Sequence, residues 1–472
     1  MPLFSKLGIS TTLTTHLDSL GFRTPTPIQV EAIPYILKSK TDLIAQAQTG
    51  TGKTAAFGIP LIEQIPKPNK AVFSLILSPT RELAVQISTA LTAISKPFNT
   101  RITTIYGGQS FDPQIRSLKK GSDIVIGTPG RVLDMLRKGF LKISDIEYLV
   151  IDEADEMLRF GFLEDLELIF GFSNDYKRTL LFSATMPPKI VTLSKKYMTD
   201  SHRITVKSTV QKTDNIKQHF MSISAKSKQD ALLRIIDSEH EFYGLVFCNT
   251  KRQVDEMALS LVNKGYNADA LHGDLTQSAR EKVLSKFRKR YCTILIVTDV
   301  VARGIDIEKL THVINFSPPQ DLDSYIHRIG RTGRCGETGK AYTLVCKSES
   351  YLFRPIKQRF SDVLKEIEPP SVNDILENKR VVLMNALSKL VNDGLEPSYI
   401  DLANTILEGY SATDALAAAL QHTLQTSFSK KNYREIRFDR LELNHERRPY
   451  NRNRFRDRKP NSGYKSRGSW RK

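Results

Sequence analysis

The sequence predicts an α/β protein with two tandem doubly wound parallel sheets, followed by a small helical extension and a disordered basic tail. Three observations support this fold class. Short apolar runs alternate with amphipathic helical patterns in two groups along the chain. Capped helical patterns without strand-like runs follow, and the last 44 residues, 429–472, lack hydrophobic periodicity. The length of 472 residues fits this division, because domains average roughly 150 residues.

The apolar runs predict the strands of two domains, which we expect over residues 1–207 and 217–364. Runs of about four to eight apolar residues, bounded by turn residues, are typical of buried strands in a parallel sheet. Their alternation with helices favours a doubly wound architecture. The polar segment 208–216 separates the two groups and predicts a linker. The runs are AVFSLILSP, DIVIG, EYLVIDEAD and RTLLFSAT, then GLVFCNT, TILIVTD and THVINF.

Residues 365–428 predict a helical extension of three helices. Each pattern opens with a serine and an aspartate three residues later, which is a variant capping box: the serine oxygen accepts from first-turn amides, and the acid meets the positive end of the helix dipole. Three helices are too few for an independent core, so we expect them to pack on the second domain or on a copy of themselves. The pairs are Ser371 with Asp374, Ser398 with Asp401 and Ser411 with Asp414.

The net charge of +18 is concentrated at the end of the chain. Residues 429–472 contain sixteen Lys or Arg and five Asp or Glu, and therefore carry +11 of the total. Such a composition cannot bury a core and predicts disorder. Arginines among aromatic residues suit RNA phosphates and stacking on unpaired bases, so we expect an RNA tether, with a merely solubilising end as the alternative. The aromatic residues are Tyr433, Phe438, Tyr450, Phe455, Tyr464 and Trp470.

Composition also excludes several classes of protein. No stretch approaches the roughly 18 apolar residues of a membrane span, and the first residues lack the apolar core of a signal peptide. The four cysteines form no CxxC pair, which disfavours a zinc site or a disulfide framework. We therefore expect a cytoplasmic protein with no membrane partner and with reduced cysteines. The cysteines are Cys248, Cys292, Cys335 and Cys346.

A glycine-containing phosphate loop lies between the strand-like TDLIAQA and a helical pattern. Its backbone amides would cradle phosphates at a helix N-terminus, Lys53 would reach the β and γ phosphates, and Thr54 would bind Mg²⁺. Ala47 is the one departure from the usual GxxxxGK[ST] pattern, and a chance GKT is the alternative. The loop residues are Ala47, Gln48, Thr49, Gly50, Thr51, Gly52, Lys53 and Thr54.

Acidic residues follow the apolar strand YLVI in the sequence Asp152-Glu153-Ala154-Asp155. Ligands bind at the carboxyl ends of strands in such sheets. Asp152 can hold Mg²⁺, and Glu153 can orient or deprotonate the water that attacks the γ phosphate of ATP. An acidic helix cap is the alternative, which the neighbouring phosphate loop disfavours.

These motifs, and others in the same order, resemble the DEAD-box ATP-dependent RNA helicase family across about the first 360 residues. The resemblance implies two RecA-like domains, and Ala47 is what the family has at its position. The further motifs are GFRTPTPIQ with Gln29, the upstream Phe4, PTRELA at 79–84, Gly107-Gly108, TPGR at 128–131, Ser183-Ala184-Thr185, VFCNT at 246–250, Gln277 with Arg280, TDVVARGID at 298–306 and HRIGRTGR at 327–334.

The resemblance implies an ATP site shared by two domains. Gln29 would read the adenine, Phe4 would stack on it, and Asp306 would reach the ribose. Arg331 and Arg334 would bring positive charge to the γ phosphate from the second domain, so hydrolysis would require domain closure. The resemblance also implies that His327 links the ATP site to RNA, and that hydrolysis is coupled to unwinding by Asp155, Ser183 and Thr185.

The resemblance further implies sequence-independent binding along one RNA strand. The motifs offer groups for phosphates and 2′-OH groups and few for base edges, which predicts salt-sensitive binding. The helix that includes Arg131 would bend the strand, so duplexes would open locally and without long translocation. The residues implied are Pro79, Thr80, Arg81, Gly108, Thr128, Pro129, Gly130, Arg131, Thr250, Gln277, Arg280, Thr298 and Arg303.

The segment after residue 364 is similar to the extension of the bacterial DeaD/CsdA/CshA-like subgroup, where it can mediate dimerisation. This resemblance implies a homodimer through 365–428 and work on ribosomal precursors, in RNA decay or in cold adaptation. Two rival functions remain open. One is a non-enzymatic RNA chaperone, which the retained catalytic residues disfavour, and the other is a DNA helicase, which would not discriminate at the 2′-OH.

Overall fold

The computed structural model describes residues 3–48, 50–69, 71–206, 215–302, 310–333, 337–424 and 433–436. Within them, the chain forms two seven-stranded sheets in which the neighbouring strands pair in parallel. Helices connect the strands, as the predicted doubly wound class requires.

The first domain contains strands β1 to β7 in the sheet order β3-β4-β2-β5-β6-β1-β7. The strands are β1 (Leu43–Gln46), β2 (Ser74–Leu77), β3 (Ile102–Ile105), β4 (Ile124–Gly127), β5 (Tyr148–Ile151), β6 (Arg178–Ser183) and β7 (His202–Thr205). The helices are α1 (Thr11–Ser19), α2 (Pro27–Lys38), α3 (Lys53–Gln64), α4 (Arg81–Ile94), α5 (Phe111–Lys119), α6 (Pro129–Arg137), α7 (Ala154–Arg159), α8 (Leu163–Phe172) and α9 (Pro188–Tyr197).

The second domain repeats this topology in the order β10-β11-β9-β12-β13-β8-β14. Counted from its own first strand, each sheet has the same order. The strands are β8 (Ile216–Ser222), β9 (Gly244–Phe247), β10 (Ala268–Leu271), β11 (Ile294–Val297), β12 (His312–Asn315), β13 (Gly339–Val345) and β14 (Leu364–Glu366). The helices are α10 (Lys228–Ser238), α11 (Lys251–Asn263), α12 (Gln277–Arg288), α13 (Asp299–Ala302), α14 (Leu322–Ile329) and α15 (Ser350–Arg359).

Helices cover both faces of each sheet, so the central strands are apolar on both sides. In β6, Leu180 and Phe182 pack into one core, and Leu181 packs into the core on the opposite face. This alternation follows from the two-residue period of a strand. It explains why the central strands are continuous apolar runs in the sequence.

The apolar runs correctly indicated β1, β2, β4, β5, β6, β9, β11 and β12. Four of the other strands, β3, β7, β10 and β14, lie at sheet edges, where one side has no neighbouring strand. An edge strand does not need a fully apolar sequence, and the exposed, polar HRIT of β7 illustrates this.

The predicted bounds of the second domain differ from the structure at both ends. The range 1–207 contains the whole first sheet, but the boundary after residue 364 divides β14. Residues 365 and 366 belong to the second sheet, because β14 pairs with β8. The second domain also begins one residue earlier than predicted, since β8 starts at Ile216. Of the predicted linker, residues 208–214 lie outside the described residues.

The extension forms three helices, α16 (Val372–Asp393), α17 (Pro397–Gly409) and α18 (Ala412–Leu424). The predicted caps are confirmed at two of them, since Ser371 and Ser411 each accept a hydrogen bond from the amide of the aspartate three residues later. The cap predicted at Ser398 is wrong, because α17 begins at Pro397, a residue favoured at the first helical position. Helix α16 packs on the second domain, through α10 and the fully buried Ile375.

Of the tail, only residues 433–436 are described, and they contact the second domain. At these four positions the structure differs from the disorder expected for 429–472, and the remaining tail lies outside the described residues. In the described parts of the chain, no helix is both long and apolar enough to cross a bilayer. Three cysteines, Cys248, Cys292 and Cys346, are free and buried, and Cys335 is not described.

Candidate nucleotide and nucleic-acid site

The order of the strands places the predicted site residues in two groups, one at each half of the edge formed by the carboxyl ends of the strands. In the first domain, the phosphate loop, the DEAD acids and the SAT motif follow β1, β5 and β6, and these strands are adjacent in the order β5-β6-β1. The predicted RNA motifs follow β3, β4 and β2, which form the other half. Because carboxyl ends of parallel strands meet at one edge, this topology brings residues that are far apart in sequence together.

The phosphate loop contains a buried lysine near its end. Lys53 opens α3 and is 6% exposed, and its Nζ atom finds no hydrogen-bond partner among the described residues. A buried ammonium without a partner is costly, and phosphate oxygens would satisfy it. The loop geometry therefore fits the polyphosphate of a nucleotide.

The rest of the loop supplies its shape. Gly50 and Gly52 adopt positive φ values of 73° and 88°, a region that favours glycine. The Thr51 hydroxyl donates to the carbonyl of Gln48 at 2.7 Å. Ala47 is buried just beyond β1, and Thr54 is the second residue of α3. Thr49 lies outside the described residues.

Gln29 ties the first motif to the phosphate loop. Its Oε1 accepts from the Thr26 amide at 2.9 Å, and its Nε2 donates to the Gly52 carbonyl at 3.1 Å. A Cβ atom on Gly52 would lie 2.4 Å from that Nε2, so this close approach requires glycine. Phe4 is 2% exposed and packs edge-on against Phe22, so stacking on an adenine requires a placement of the ring different from this one.

Two buried carboxyl groups face Lys53 at the end of β5. Asp152 and Glu153 are 3% and 7% exposed. Burial raises the pKa of Asp152, against the opposing effect of the Lys53 charge. Burial also raises the pKa of Glu153 to about 7, a value suited to a group that takes a proton near neutral pH. Glu153 has a φ of 51°, a left-handed conformation rare outside glycine that occurs at functional sites.

The third acid of the motif, Asp155, joins the DEAD and SAT motifs. Its Oδ2 accepts from the Thr185 amide at 2.8 Å and from the Thr185 hydroxyl at 2.9 Å. The Asp155 amide donates to the Ser183 hydroxyl at 3.2 Å, and this hydroxyl donates to the Thr185 carbonyl at 2.7 Å. These contacts connect the ends of two neighbouring strands, as the predicted coupling role requires.

The second domain closes over these acids. His327 Nδ1 lies 3.4 Å from Glu156 Oε1, across the domain interface. Arg331 is 7% exposed, and its charge opposes the rise in the pKa of Glu153. Its Nε donates to the His327 carbonyl at 3.3 Å. The structure therefore brings Arg331 and His327 together with the acids, whereas Arg334 and Asp306 lie outside the described residues.

The predicted RNA residues lie at corresponding strand ends in both domains. Thr80 and Thr250 cap α4 and α11, where each hydroxyl accepts from an amide three residues later. Thr128 immediately precedes α6, which begins with Pro129 and Gly130. Gln277 begins α12, and Thr298 follows β11. Pro79 is buried after β2, and Arg303 lies outside the described residues.

Arg81 and Arg131 are held in defined positions on the first domain. The Arg81 guanidinium lies against Gly108, where a Cβ atom would be 2.1 Å from its NH1 atom. Arg131 donates to the carbonyl of Gln109 at 3.0 Å, and its guanidinium lies 4.0 Å from the centre of the Phe111 ring. Burial lowers the pKa of Arg131.

Arg280 does not lie free on an RNA surface. Its NH2 atom is 2.7 Å from Glu82 Oε1 in the first domain, and both side chains are less than a tenth exposed. The family resemblance implied an RNA role for Arg280 and no role for Glu82, the residue after Arg81 in PTRELA. No local pattern could have found this pair, because it forms only when the two domains meet.

Two other sets of side-chain contacts were not predicted from the sequence. Arg159 of α7 donates to Asp321 and to Ser324 of the second domain, both at 2.8 Å. Arg328 lies within HRIGRTGR but is fully buried, and it pairs with both carboxylate oxygens of Asp299 at 2.6 and 2.8 Å. Its place inside a recognised motif was the available signal for Arg328.

Comparisons with known proteins agree with this arrangement. The family DEAD/DEAH box helicase matches residues 26–193, and the family helicase conserved C-terminal domain matches residues 227–336. The DEAD-box ATP-dependent RNA helicase CshA of Geobacillus kaustophilus is 42% identical over 89% of this chain and 90% of its own. The Bacillus subtilis protein of the same name is 40% identical over 89% of this chain and 84% of its own.

Solved structures show the same two-domain fold. S. cerevisiae Dbp5 bound to RNA and ADP BeF3 has a TM-score of 0.72 at 29% identity, over 81% of this chain and all of its own. Helicase Mss116 bound to ssRNA and UDP-BeF has a TM-score of 0.70 at 28% identity, over 83% of this chain and 86% of its own. The two RecA-like domains, the assembled motifs and the extent of these matches show that the chain belongs to the DEAD-box ATP-dependent RNA helicase family.

Proposed function

We propose that this protein couples RNA-stimulated ATP hydrolysis to the local separation of short RNA duplexes. One observation carries the proposal: the buried Arg331 of the second domain lies close enough to Glu153 of the first for its charge to lower the pKa of that carboxyl group, which also faces Lys53. A site completed by two domains hydrolyses ATP only when they close. RNA that favours closure would therefore stimulate hydrolysis, and hydrolysis would release the RNA.

The residues of the site have distinct roles in this proposal. Lys53 binds the β and γ phosphates, and Glu153, as a carboxylate, accepts a proton from the attacking water. Arg331 stabilises charge on the γ phosphate, and His327 connects this site with Glu156 across the interface. Arg334 and Asp306 are assigned to the γ phosphate and ribose by their motif positions alone.

The donor set at the phosphate loop fits Mg²⁺. The Thr54 hydroxyl and the Asp152 carboxylate offer the oxygen ligands that this ion prefers. When bound with ATP, Mg²⁺ neutralises phosphate charge. Burial raises the pKa of Asp152 and so disfavours its carboxylate form, and a bound cation would offset that cost.

The proposed RNA surface joins the β3-β4-β2 half of the first sheet to the β10-β11-β9 half of the second. Threonine-capped helix starts, glycine-rich turns and oriented arginines at these strand ends suit phosphates and 2′-OH groups. These groups do not read base edges, so binding would be sequence-independent. The contacts of Arg131 with Phe111 and Gln109 support a rigid surface that bends one strand.

The proposal is tested by ATP turnover with no nucleic acid, with single-stranded RNA and with DNA of the same sequence. We expect stimulation by RNA well above that by DNA, and loss of turnover in Glu153→Gln with ATP binding retained. Equal stimulation by DNA would contradict the RNA assignment and favour a DNA helicase. Unchanged turnover in the variant would contradict the catalytic role of Glu153. Absence of any ATP turnover by the wild type would favour a non-enzymatic RNA chaperone.

A homodimer through residues 365–428 is also part of the proposal. Helices α17 and α18 have no buried residue, and apolar side chains lie exposed along all three helices. Soluble monomers rarely expose contiguous apolar surface of this kind, and a second copy would cover it. The exposed residues include Val381, Met384, Leu387, Leu390, Val391, Ile400, Leu402, Ile406, Leu407 and Leu416.

We further propose that the protein acts in the cytoplasm on ribosomal precursors or in RNA decay, including at low temperature. The sequence-independent surface and the basic tail favour general remodelling over one RNA target. The tail would hold RNA near the two domains and raise its effective concentration. Deleting 429–472 should weaken RNA binding and reduce the dependence of the affinity on salt. If both the affinity and its salt dependence were unchanged, the tail would not be an RNA tether.

A further inference from the structure

Side chains of helix α10 contact both the start of the extension and the described part of the tail. Arg234 and Asp237 lie one helical turn apart on α10. The Arg234 guanidinium donates to the Pro370 carbonyl at 3.3 Å and to the Arg434 carbonyl at 2.6 Å. One buried arginine therefore connects the chain entering α16 with the chain returning from the extension.

Three polar side-chain groups contact the Asp237 carboxylate. Its Oδ2 accepts from the Tyr266 hydroxyl at 2.9 Å and from the Tyr433 hydroxyl at 2.6 Å, and Lys379 Nζ lies 3.1 Å away. Lys379 also donates to the Tyr433 hydroxyl at 2.9 Å. The Asp237 side chain is only 9% exposed, so these partners satisfy a carboxylate largely removed from water. Burial raises the pKa of both tyrosines, which therefore remain hydrogen-bond donors.

An apolar contact completes this surface. Ile436 packs against the core that lies beneath α10 and α11, the same core that Ile367 contacts just after β14. The segment 433–436 thus presents a phenol to a carboxylate, a carbonyl to a guanidinium and an aliphatic side chain to an apolar core. Three different contacts within four residues specify both the position and the direction of the segment.

We propose that this surface, formed by Arg234, Asp237, Tyr266 and Lys379, is a docking site for residues 433–436 of the same chain. Thirteen of the sixteen cationic residues of the tail follow residue 436. Docking attaches the chain that carries these charges to the second domain. Without docking, that chain would be attached only through the end of α18. RNA held by the tail then moves with the second domain during opening and closure.

Limited proteolysis of the full-length protein tests the docking. Trypsin cleaves after Arg434 only when the segment leaves its site, so the cleavage rate follows the undocked population. Asp237→Asn and Tyr433→Phe each weaken a hydrogen bond involving a charged group. We expect cleavage after Arg434 to accelerate roughly tenfold or more in both variants. Tyr410→Phe is the matched control, because Tyr410 is 69% exposed, and it should cleave at the wild-type rate.

Asp237→Asn leaves the cleaved sequence unchanged, and circular dichroism of each variant shows that the domains remain folded. Wild-type rates in both Asp237→Asn and Tyr433→Phe would overturn the docking site. Wild-type cleavage that accelerates on dilution would also overturn the proposal, since the segment on the surface would then belong to a second copy. A wild-type rate independent of concentration, with acceleration in both variants, is the result that supports it.

Discussion

Two arginines of HRIGRTGR illustrate how similar residues serve different purposes. Arg328 is fully buried and, besides its pairing with Asp299, donates to the carbonyl of Ser317 at 2.7 Å. It therefore holds the loops after β11 and β12 together inside the second domain. Arg331 lies three residues later at the domain interface, where its charge reaches Glu153. The first arginine stabilises one domain, and the second acts between domains.

Alanine at each position should separate these roles. Arg328→Ala removes a buried guanidinium and leaves Asp299 without its bidentate partner, so we expect the second domain to lose about 3 kcal/mol of unfolding free energy. Arg331→Ala should unfold like the wild type but lose ATP turnover by a factor of about 10³ or more. Thermal unfolding and ATPase rates measure the two effects. Equal thermal stability of Arg328→Ala and the wild type would contradict the structural role.

The raised pKa of Glu153 predicts a pH dependence of the reaction. Because the carboxylate is the form that accepts a proton, kcat/KM for ATP should increase as the pH rises through about 7. The measurement is RNA-stimulated ATP turnover in buffers from about pH 6 to about pH 8. A flat profile over this range would show that Glu153 is already ionised well below neutrality.

The same pKa predicts an effect on stability. A carboxyl group whose pKa is higher in the folded state favours folding only while it is protonated, and this contribution is lost as the pH rises through about 7. Glu153→Gln should therefore melt a few degrees above the wild type at pH 8. Near pH 4, below the ordinary value for glutamate, the two proteins should melt together. A variant less stable than the wild type at pH 8 would contradict the burial cost.

At the scale of elements, a strand or helix can be predicted from the sequence where its own burial or capping determines which residues it contains. The fully buried central strands require continuous apolar runs, and the helices after β1 and β5 begin at contiguous motifs. Edge strands such as β7 were not predicted, because their exposed side does not require apolar residues. The start of α17 was misplaced because Ser398 matches a cap pattern, although Pro397 immediately before it already opens the helix.

The exposed helices of the extension lead to a prediction about self-association. Leu390 on α16 is 59% exposed, and lysine at this position would put a charge into the proposed dimer interface. We expect Leu390→Lys to weaken the dimer at least tenfold in sedimentation equilibrium, with ATP turnover unchanged. Leu259→Lys is the matched control, since Leu259 is 63% exposed on α11, away from the extension. Equal sedimentation of both variants and the wild type would contradict an interface at α16.

At the scale of the whole molecule, the family resemblance implied an ATP site shared by the two domains, but the sequence did not reveal which other side chains pair across their interface. The motif residues themselves could be predicted because each motif is contiguous. Their partners across the interface, such as Glu82 for Arg280 and Glu156 for His327, depend on how two separately folded units meet. The charge surplus also has a different meaning at this scale, because half of it, +9 of +18, follows the docked segment 433–436.

The buried pair of Glu82 and Arg280 predicts how closure is controlled. Both side chains are less than a tenth exposed in the closed arrangement, whereas separated domains would leave each in water. Glu82→Gln leaves the Arg280 charge buried without a counter-charge only on closure, so closure should become at least tenfold less favourable. RNA-stimulated kcat/KM for ATP should fall by the same factor, and each domain should melt as in the wild type. One fluorophore on each domain measures closure directly by energy transfer.

Two further variants complete this test. Glu82→Arg combined with Arg280→Glu restores opposite charges and should recover part of the closure, which neither reversal alone would do. Glu256→Gln is the matched control, because it breaks the ion pair with Arg252, whose side chains are 90% and 63% exposed, and such pairs contribute little. If Glu82→Gln closed as readily as Glu256→Gln, the buried pair would be a consequence of closure and not one of its causes.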